Sequence, residues 1–119
     1  MAKKIDIIIP VNNALLDVRK CLGSVEKSLL EGKHNLIIVD DGSDEETKEY
    51  LREFATIRNR YVTLIRNEST QKYTKSANIG LKASTSDYVI LLNSDTVVSL
   101  NWTKKLIEYT EQSSNIVMI

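Results

Sequence analysis

Three groups of polar residues stand directly after three short apolar runs, and they contain the side chains best suited to chemistry. The groups are Pro10-Val11-Asn12-Asn13, Asp40-Asp41-Gly42-Ser43 and Asn93-Ser94-Asp95-Thr96. A short apolar run rich in β-branched residues is typical of a buried strand. If the strands are parallel, their carboxyl ends meet at one edge of the sheet, where ligands bind in this class. Three carboxylates gathered there would repel one another, which predicts a divalent cation or a hydrogen-bonding ligand.

Other residue types narrow the chemistry. Asp95 is the natural metal ligand, since Mg²⁺ and Mn²⁺ prefer carboxylate oxygens. The four glycines form neither a G-x-G-x-x-G after the first strand nor a P-loop, so neither phosphate-binding fingerprint is present. Cys21 and His34 are the only cysteine and the only histidine. This excludes an internal disulfide and a His/Cys zinc cluster, and a Ser-His-Asp triad would depend on His34 alone. We interpret Cys21 as a small buried thiol.

Alternating strands and helices must position these groups. The apolar runs predict strands over 5–9, 36–39, 61–65, 89–92 and 115–119. Proline lacks the N–H of a sheet ladder, so Pro10 is expected to end the first strand. Residues spaced by three and four predict the first helix, with Gly32 as its stop: Leu15, Val18, Leu22, Val25 and Leu29.

Turn and cap residues complete this prediction. We expect a turn at 40–42, and Ser43 with Glu46 resembles a capping box that starts the second helix. Residues 66–75 are polar and are predicted to form a loop before a short helix through Ala77 and Leu81. Asn101 is predicted to cap a last helix, in which Trp102 is a packing residue. The order predicts an α/β fold, a doubly wound and mainly parallel sheet with helices on both faces.

Composition fits one domain of 119 residues with a single hydrophobic core. Sixteen basic and sixteen acidic residues cancel, which argues against a nucleic-acid surface. The apolar run near the start is too short for a signal-peptide core or a transmembrane segment. We therefore expect a cytoplasmic protein.

Four segments also resemble a known family. "IIIPVNN", "LIIVDDGSDEET", "KSANIGL" and "YVILLNSDT" stand in the order and spacing of the family 2 glycosyltransferases, which have the GT-A (Rossmann-like) fold. The resemblance extends from about residue 5 to residue 112. It implies an inverting transferase of polysaccharide biosynthesis that binds a nucleotide-sugar donor, with UDP or dTDP as the expected nucleotide and a saccharide or lipid-linked acceptor.

The resemblance also implies roles for individual residues. Asp41 would hydrogen-bond the base with Asp40 beside it, and Asp95 with Asn93 would hold Mn²⁺ or Mg²⁺ on the two phosphates. The remaining residues expected to contact the nucleotide are Pro10, Val11, Asn12, Lys75, Asn78 and Ser94.

The chain departs from the family pattern in three respects. Asn93 replaces the first aspartate of the D-x-D motif. Asn12 replaces a tyrosine, so an aromatic face worth about 1 kcal/mol to the base would be lost. The resemblance implies that residues 1–119 form one nucleotide-diphosphate-sugar-binding domain that ends before the acceptor-binding half. No general base can therefore be assigned.

Simpler interpretations and rival functions stay open at this point. Asp95 could cap a turn, Asp41 could be the turn residue before Gly42, and Lys75 could be a solvated lysine. The chain could also bind a nucleotide without turnover, or form a homo-oligomer through a sheet edge near Met118. A response-regulator receiver would need its acidic pair after the first strand, and a sugar nucleotidyltransferase would need a glycine-rich loop there; neither feature is present.

Overall fold

The computed structural model describes residues 4–29, 33–110 and 116–118, so the predicted stop at Gly32 lies outside the described residues. Strands and helices alternate along the chain. The strands are β1 (Ile5–Val11), β2 (His34–Asp41), β3 (Val62–Asn67), β4 (Tyr88–Leu91) and β5 (Ile116–Met118). The helices are α1 (Leu15–Lys27), α2 (Glu45–Ile57), α3 (Tyr73–Ala83) and α4 (Trp102–Thr110).

The five strands form one parallel sheet in the order β3-β2-β1-β4-β5. The central strand β1 pairs with β2 on one side and with β4 on the other. The carboxyl ends of β1, β2 and β4 therefore lie next to one another, as the sequence predicted. Residues 12–14, 42–44 and 92–101 follow these ends.

Helices cover the two faces of the sheet unequally. On one face α1, α2 and α4 enclose the larger core, which includes Ile7, Ile9, Leu22, Leu36 and Phe54. On the other face α3 covers a smaller cluster of Ile8, Ile37, Val39, Ala77 and Leu91. The predicted α/β fold with helices on both faces is confirmed.

The first strand is longer than predicted, because Pro10 does not end it. Pro10 pairs with Val39, and β1 continues to Val11. The Leu92 N–H donates to the Ile8 carbonyl at 2.9 Å, so the backbone of Ile8 faces β4. Alternate residues of a strand face the same neighbour, which places the ring nitrogen of Pro10 beyond the last paired residue of β4. The missing N–H therefore removes no ladder hydrogen bond.

The second strand also extends beyond its prediction and includes the acidic pair. Asp40 and Asp41 are strand residues that pair with Arg66 and Asn67 of β3, not turn residues. The polar side chains of β3 provide cross-strand partners, which stabilises the extension. Residues 66–75 accordingly divide between β3, a short connection and the start of α3, so the predicted loop is wrong.

The second helix is capped by a residue other than the one predicted. The side chain of Asp44 accepts a hydrogen bond from the Thr47 N–H at 3.0 Å, which makes Asp44 the N-cap of α2. Ser43 instead accepts a hydrogen bond from the Asn13 N–H at 2.9 Å. The predicted capping box of Ser43 and Glu46 is therefore wrong.

Two packing predictions are confirmed. Cys21 is buried in α1, and Trp102 is buried under α4 with its indole N–H donating to Ser28 Oγ at 2.9 Å. Among the residues that the structure describes, no helix has the length and apolar character needed to cross a membrane.

Candidate functional site

A cavity of about 270 Å³ opens at the carboxyl edge of the sheet, on the α3 face. We call it the α3 cavity. Small-molecule sites typically begin at about 300 Å³, so its size suits part of a ligand, such as a base with its ribose. Its lining residues are Pro10, Val11, Asn12, Asp41, Thr70, Lys72, Tyr73 and Ser76. The first four were predicted to lie at a nucleotide site.

Asp41 provides the buried charge of this cavity. Its Oδ1 accepts hydrogen bonds from the Asn67 side chain at 3.0 Å and the Gln71 N–H at 2.7 Å, and its Oδ2 accepts from the Lys72 N–H at 3.0 Å. Burial alone would raise the pKa of Asp41. The hydrogen bonds from Gln71, Asn67, Lys72 and Ser76 outweigh burial and hold that pKa below its usual value. Asp41 is therefore an anion at neutral pH, stabilised by uncharged donors.

Asp40 lies on the opposite face of β2, because successive side chains of a strand alternate. It is 1% exposed and accepts a hydrogen bond from Arg66 Nη1 at 2.7 Å and another from the Ser43 N–H at 3.2 Å. Arg66 thus neutralises its charge within the fold. The structure does not bring Asp40 to the α3 cavity, although the sequence interpretation placed it there beside Asp41.

The segment after β1 is fastened to the segment after β2. The Asn12 side-chain amide donates to the Asp41 carbonyl at 2.7 Å, and Asn13 Oδ1 accepts from the Asp44 N–H at 2.7 Å. Asn13 has a φ of 59°, a conformation that asparagine tolerates better than most residues. The first of these bonds fixes the side chain of Asn12, which lines the cavity. This side chain is a small amide, where the resemblance implied an aromatic ring. A contact of Asn12 with a nucleotide stays a prediction.

Four lining residues were missed by the sequence interpretation: Thr70, Lys72, Tyr73 and Ser76. The reason is that 66–75 was interpreted as a polar loop, which hid the first turn of α3. Tyr73 begins α3, and its hydroxyl donates to Asn93 Oδ1 at 3.0 Å. Burial raises the pKa of Tyr73, so its hydroxyl keeps its proton at neutral pH. Tyr73 thereby joins the α3 cavity to the polar group after β4.

The polar group after β4 is a hydrogen-bonded turn whose side chains face outward. The Thr96 N–H donates to the Asn93 carbonyl at 3.1 Å, and the side chains of Asn93 and Asp95 are exposed. Asp95 lies close enough to Cys21 for its charge to act there. Burial raises the pKa of Cys21 to about 11, and Asp95 adds to that rise. Asp95 therefore belongs to a hydrogen-bonded turn and also has an exposed carboxylate. The two interpretations of Asp95, as a turn residue and as a metal ligand, are compatible.

Lys75 and Asn78 lie on α3 but do not line the α3 cavity. Both are exposed, Lys75 in the first turn of the helix and Asn78 in the second. Lys72 lies nearer and lines the cavity. Ser94 stands between Asn93 and Asp95 and is half-buried. Contacts of Lys75, Asn78 and Ser94 with a ligand remain predictions.

A divalent cation is compatible with the side chains at the end of β4. Asn93 and Asp95 offer an amide oxygen and a carboxylate, which are hard donors suited to Mg²⁺ and Mn²⁺. Within residues 4–29, 33–110 and 116–118, no group of three His, Cys, Asp or Glu residues could hold a metal. The expected convergence of three carboxylates is therefore not found. The donor set present suits a cation that completes its coordination with water and ligand phosphates.

A second and larger cavity, of about 570 Å³, lies between α1 and residues 97–100. It is lined by the three cations Arg19, Lys20 and Lys27, by Gly23 and Ser24, and by the aliphatic residues Val97, Val98 and Leu100. None of these lining residues was predicted to contact the nucleotide, whereas four of the residues that line the α3 cavity were. The α3 cavity is therefore the better candidate for the nucleotide.

Comparison with known proteins gives a consistent result. A family model described as "Glycosyl transferase family 2" matches residues 6–119. Glycosyltransferase AglE of Haloferax volcanii is 29% identical over 102 residues, which are 85% of this chain and 33% of that protein. An uncharacterised glycosyltransferase of Haemophilus influenzae is 30% identical over 118 residues, which are 97% of this chain and 37% of that protein. The chain thus spans about a third of the length of these curated relatives.

Solved structures share the fold. A mannosyltransferase of Pyrobaculum calidifontis, in complex with GDP-Man and Mn²⁺, superposes with a TM-score of 0.82 at 16% identity, covering 92% of this chain and 33% of that one. GalNAc-T7, solved with UDP, GalNAc and Mn²⁺, gives a TM-score of 0.81 at 23% identity, covering 94% and 21%. The GT-A fold that the sequence resemblance implied is confirmed by these likenesses.

Proposed function

Because this chain belongs to the family 2 glycosyltransferases, we propose that it binds the nucleotide-sugar donor of a sugar-transfer reaction. The α3 cavity takes the base and ribose, and the Asn93–Asp95 turn takes the diphosphate through a divalent cation. Residues 1–119 act as the nucleotide-diphosphate-sugar-binding domain of the reaction. Transfer with inversion at the anomeric carbon, to a saccharide or lipid-linked acceptor, is the activity proposed for the protein to which this domain contributes.

One observation carries this proposal: a single hydrogen bond joins the two parts of the site. The hydroxyl of Tyr73, a residue lining the α3 cavity, donates to Asn93 Oδ1 at 3.0 Å. A nucleoside in the cavity and a cation at Asn93 and Asp95 are therefore neighbours. A nucleoside diphosphate has that distribution, with a planar base at one end and two phosphates at the other.

The charges of the site support a cation more than a direct phosphate contact. Lys72 contributes one positive charge to the cavity lining, but Asp41 is ionised and Asp95 is an exposed carboxylate, so an anionic ligand would also meet two carboxylates. A divalent cation removes this repulsion and supplies Lewis-acid stabilisation to the departing nucleoside diphosphate. The two solved relatives described above were obtained with Mn²⁺. This supports Mn²⁺ or Mg²⁺ as the cofactor proposed here.

The residues of this chain then bind and orient the donor. Pro10, Val11 and Asn12 form one wall for the nucleoside, and Thr70, Lys72 and Tyr73 form a second wall. Asp41 holds the second wall in place through the Gln71 and Lys72 amides. Asn93 and Asp95 would hold the divalent cation, which would bind the diphosphate of the donor. We assign no general base to the described residues.

Calorimetric titration with UDP, dTDP and GDP, each with and without Mn²⁺, tests the proposal. We expect at least one nucleotide to bind, and Mn²⁺ to raise its affinity by about tenfold or more, equivalent to about 1.4 kcal/mol. Asp95→Asn should abolish the rise. Metal-free binding should be equal to that of the wild type or stronger, because one carboxylate that repels the phosphates is removed. Asp17→Asn is the matched control, because Asp17 is an exposed carboxylate on α1, outside the proposed site. This variant should behave like the wild type.

The outcomes separate the candidate functions. No binding of any of these nucleotides at millimolar concentration, by protein shown to be folded, would contradict the proposal. Metal-dependent binding without sugar transfer would favour the second candidate, a nucleotide-binding domain without turnover of its own. Transfer from the matching nucleotide sugar to an acceptor would establish the first.

A further inference from the structure

Tyr73 occupies an unusual place between the two parts of the proposed site. Its side chain lines the α3 cavity and is 45% exposed, and its hydroxyl donates to Asn93 Oδ1 at 3.0 Å. Tyr73 thus connects the cavity wall to the polar group after β4 through its side chain. A residue in that place can contact the nucleoside and also orient a metal ligand.

The position of Tyr73 is fixed by Asp41 from across the sheet edge. The two residues before Tyr73, Gln71 and Lys72, donate their backbone N–H groups to the Asp41 carboxylate at 2.7 and 3.0 Å. Lys72 has a φ of 77°, a sparsely populated conformation that persists when surrounding contacts enforce it. No side chain caps α3 at this end. The carboxylate of Asp41 therefore sets the direction in which the first turn of α3 presents Tyr73.

Asp41 has little capacity left for a ligand in this arrangement. A carboxylate offers about four acceptor positions. The Asn67 side chain, the Gln71 and Lys72 amides and the Ser76 hydroxyl all act on Asp41. Its contribution here is to hold the wall that contains Tyr73.

The hydroxyl of Tyr73 gives Asn93 a fixed orientation. An exposed amide side chain can rotate, and its oxygen and nitrogen can exchange places. The hydrogen bond from Tyr73 fixes Oδ1 toward the cavity, and an amide oxygen has a second lone pair for another partner. An amide lacks the charge that an aspartate at this position would use to attract a cation. Pre-orientation by Tyr73 therefore matters more for Asn93 than it would for a carboxylate.

The ring of Tyr73 can provide the aromatic face that Asn12 lacks. Asn12 presents a small amide at the mouth of the cavity, with its Nδ2 used by the Asp41 carbonyl. A planar base gains affinity from an aromatic face. Tyr73 is the aromatic residue among the cavity-lining residues, so it is the side chain that can offer one.

We propose that Tyr73 couples the two halves of the site: its ring contacts the nucleoside, and its hydroxyl positions Asn93 for the divalent cation. This inference rests on the proposed function and names the residue through which nucleoside and metal binding influence each other. It makes Tyr73 a positioning residue for the metal and a direct contact for the base.

Two substitutions separate the roles of ring and hydroxyl. Tyr73→Phe keeps the ring and removes the hydrogen bond to Asn93, whereas Tyr73→Leu removes both. For Tyr73→Phe we expect metal-free UDP affinity within about twofold of the wild type, and a loss of about fivefold in the rise caused by Mn²⁺. For Tyr73→Leu we expect metal-free UDP affinity to fall as well, by about fivefold or more. Tyr109→Phe, on an exposed tyrosine of α4, is the control and should change neither quantity.

The affinity for Mn²⁺ itself supplies an independent readout. The electron paramagnetic resonance signal measures the concentration of free Mn²⁺ in the presence of UDP. This concentration should be higher with Tyr73→Phe than with the wild type, and Tyr109→Phe should give the wild-type value. In an Asn93→Ala background, Tyr73→Phe should have no further effect, because its partner is gone. Unfolding midpoints equal to the wild type would show that the fold is intact.

The outcomes distinguish this inference from the function on which it rests. The coupling would be overturned if Mn²⁺ raised the UDP affinity of Tyr73→Phe as much as that of the wild type. It would also be overturned if Tyr73→Phe had the same effect in the Asn93→Ala background as in the wild type. Neither result would contradict the proposed function. Unchanged metal-free UDP affinity in Tyr73→Leu would overturn the base contact. If the wild type binds none of UDP, dTDP and GDP, the proposed function fails and this inference fails with it.

Discussion

The two faces of the sheet are built for different purposes. Under α1, α2 and α4 lies a continuous apolar core, and its buried polar groups are paired within the fold. Under α3 lies a small apolar cluster that stops short of the carboxyl edge, where the α3 cavity opens. The face under three helices, here called the thickly covered face, contains most of the apolar core. The face under α3 alone, the thinly covered face, contains the α3 cavity.

Two consecutive residues show the difference most directly. Asp40 faces the large core, where its charge is neutralised by an ion pair with Arg66. Asp41 faces α3 and is held by uncharged donors, so its negative charge is retained beside a cavity. Two consecutive strand residues thus differ in role: Asp40 pairs within the fold and Asp41 lies beside the cavity. The sequence alone cannot distinguish them unless it is known which face of the strand each residue occupies.

The largest effect is expected from breaking the ion pair on the thickly covered face. Asp40→Ala leaves the Arg66 guanidinium without its buried partner and the Ser43 N–H without an acceptor. Removing one member of a buried pair costs about 3–5 kcal/mol. We expect the lower end of this range, since Arg66 stays 20% exposed and also contacts Glu68. Chemical denaturation at neutral pH measures this loss.

A double substitution provides the control for that prediction. Asp40→Ala combined with Arg66→Met removes both charges, so it should be less destabilising than Asp40→Ala alone. Metal-free UDP affinity should change little in any variant that stays folded. If Asp40→Ala weakened UDP binding and left stability intact, the assignment of Asp40 to the fold would be wrong.

A pH effect of similar size is expected on the same face. His34 is buried, and its Nε2 lies 3.1 Å from Thr103 Oγ1. Burial, with a smaller contribution from Lys33, lowers the pKa of His34 from 6.5 to about 4. The unfolded chain therefore binds the proton more tightly than the native protein. Stability is fully present above pH 6.5 and is lost as pH falls toward 4, by about 3 kcal/mol in total.

The window from pH 7 to pH 5 isolates this histidine, because the carboxylates titrate at lower pH. The free energy of unfolding should fall there by about 2 kcal/mol in the wild type. His34→Gln should show a nearly flat profile over the same window, whatever its absolute stability. An equal slope in both proteins would refute the assignment of the acid sensitivity to His34.

Much of the fold was predictable because it depends on local patterns. The apolar runs around Ile7, Ile37 and Ile90 fixed the strands, and the spacing of Val18, Leu22 and Val25 fixed the first helix. Element boundaries failed where tertiary contacts override local rules. Pro10 continues its strand because β4 has already ended on that side. Ser43 does not cap α2 because its hydroxyl is engaged by Asn13 from another loop.

The candidate site was predictable only in part, for a related reason. Asp41, Pro10, Val11 and Asn12 follow strand ends, and parallel topology brings such residues together without further information. Tyr73 lies in a segment whose polar composition indicates a loop. Its place in the site depends on hydrogen bonds from Gln71 and Lys72 to Asp41, about thirty residues away in sequence. Periodicity does not report contacts of that kind.

The smallest expected effects come from two glycines, one on each face, and they should have opposite signs. A Cβ built on Gly80 of α3 would lie 2.4 Å from Ile8 Cγ2, whereas a Cβ built on Gly23 of α1 meets nothing within 4 Å. Overpacking costs about 1–3 kcal/mol, and glycine in a helix interior costs about 1 kcal/mol relative to alanine. Gly80→Ala should therefore destabilise the protein by about 1 kcal/mol net, and Gly23→Ala should stabilise it by up to about 1 kcal/mol.

Chemical denaturation of the two glycine variants, combined with UDP titration, tests whether the α3 face also holds the site in place. Since Gly80 sets how closely α3 approaches Ile8, displacement of α3 should carry Tyr73 with it and weaken UDP binding. Gly23→Ala should bind UDP like the wild type, because α1 packs on the opposite face. If Gly80→Ala were as stable as the wild type and bound UDP normally, Ile8 would have moved instead of the helix. The close packing of α3 would then not be what positions the cavity wall.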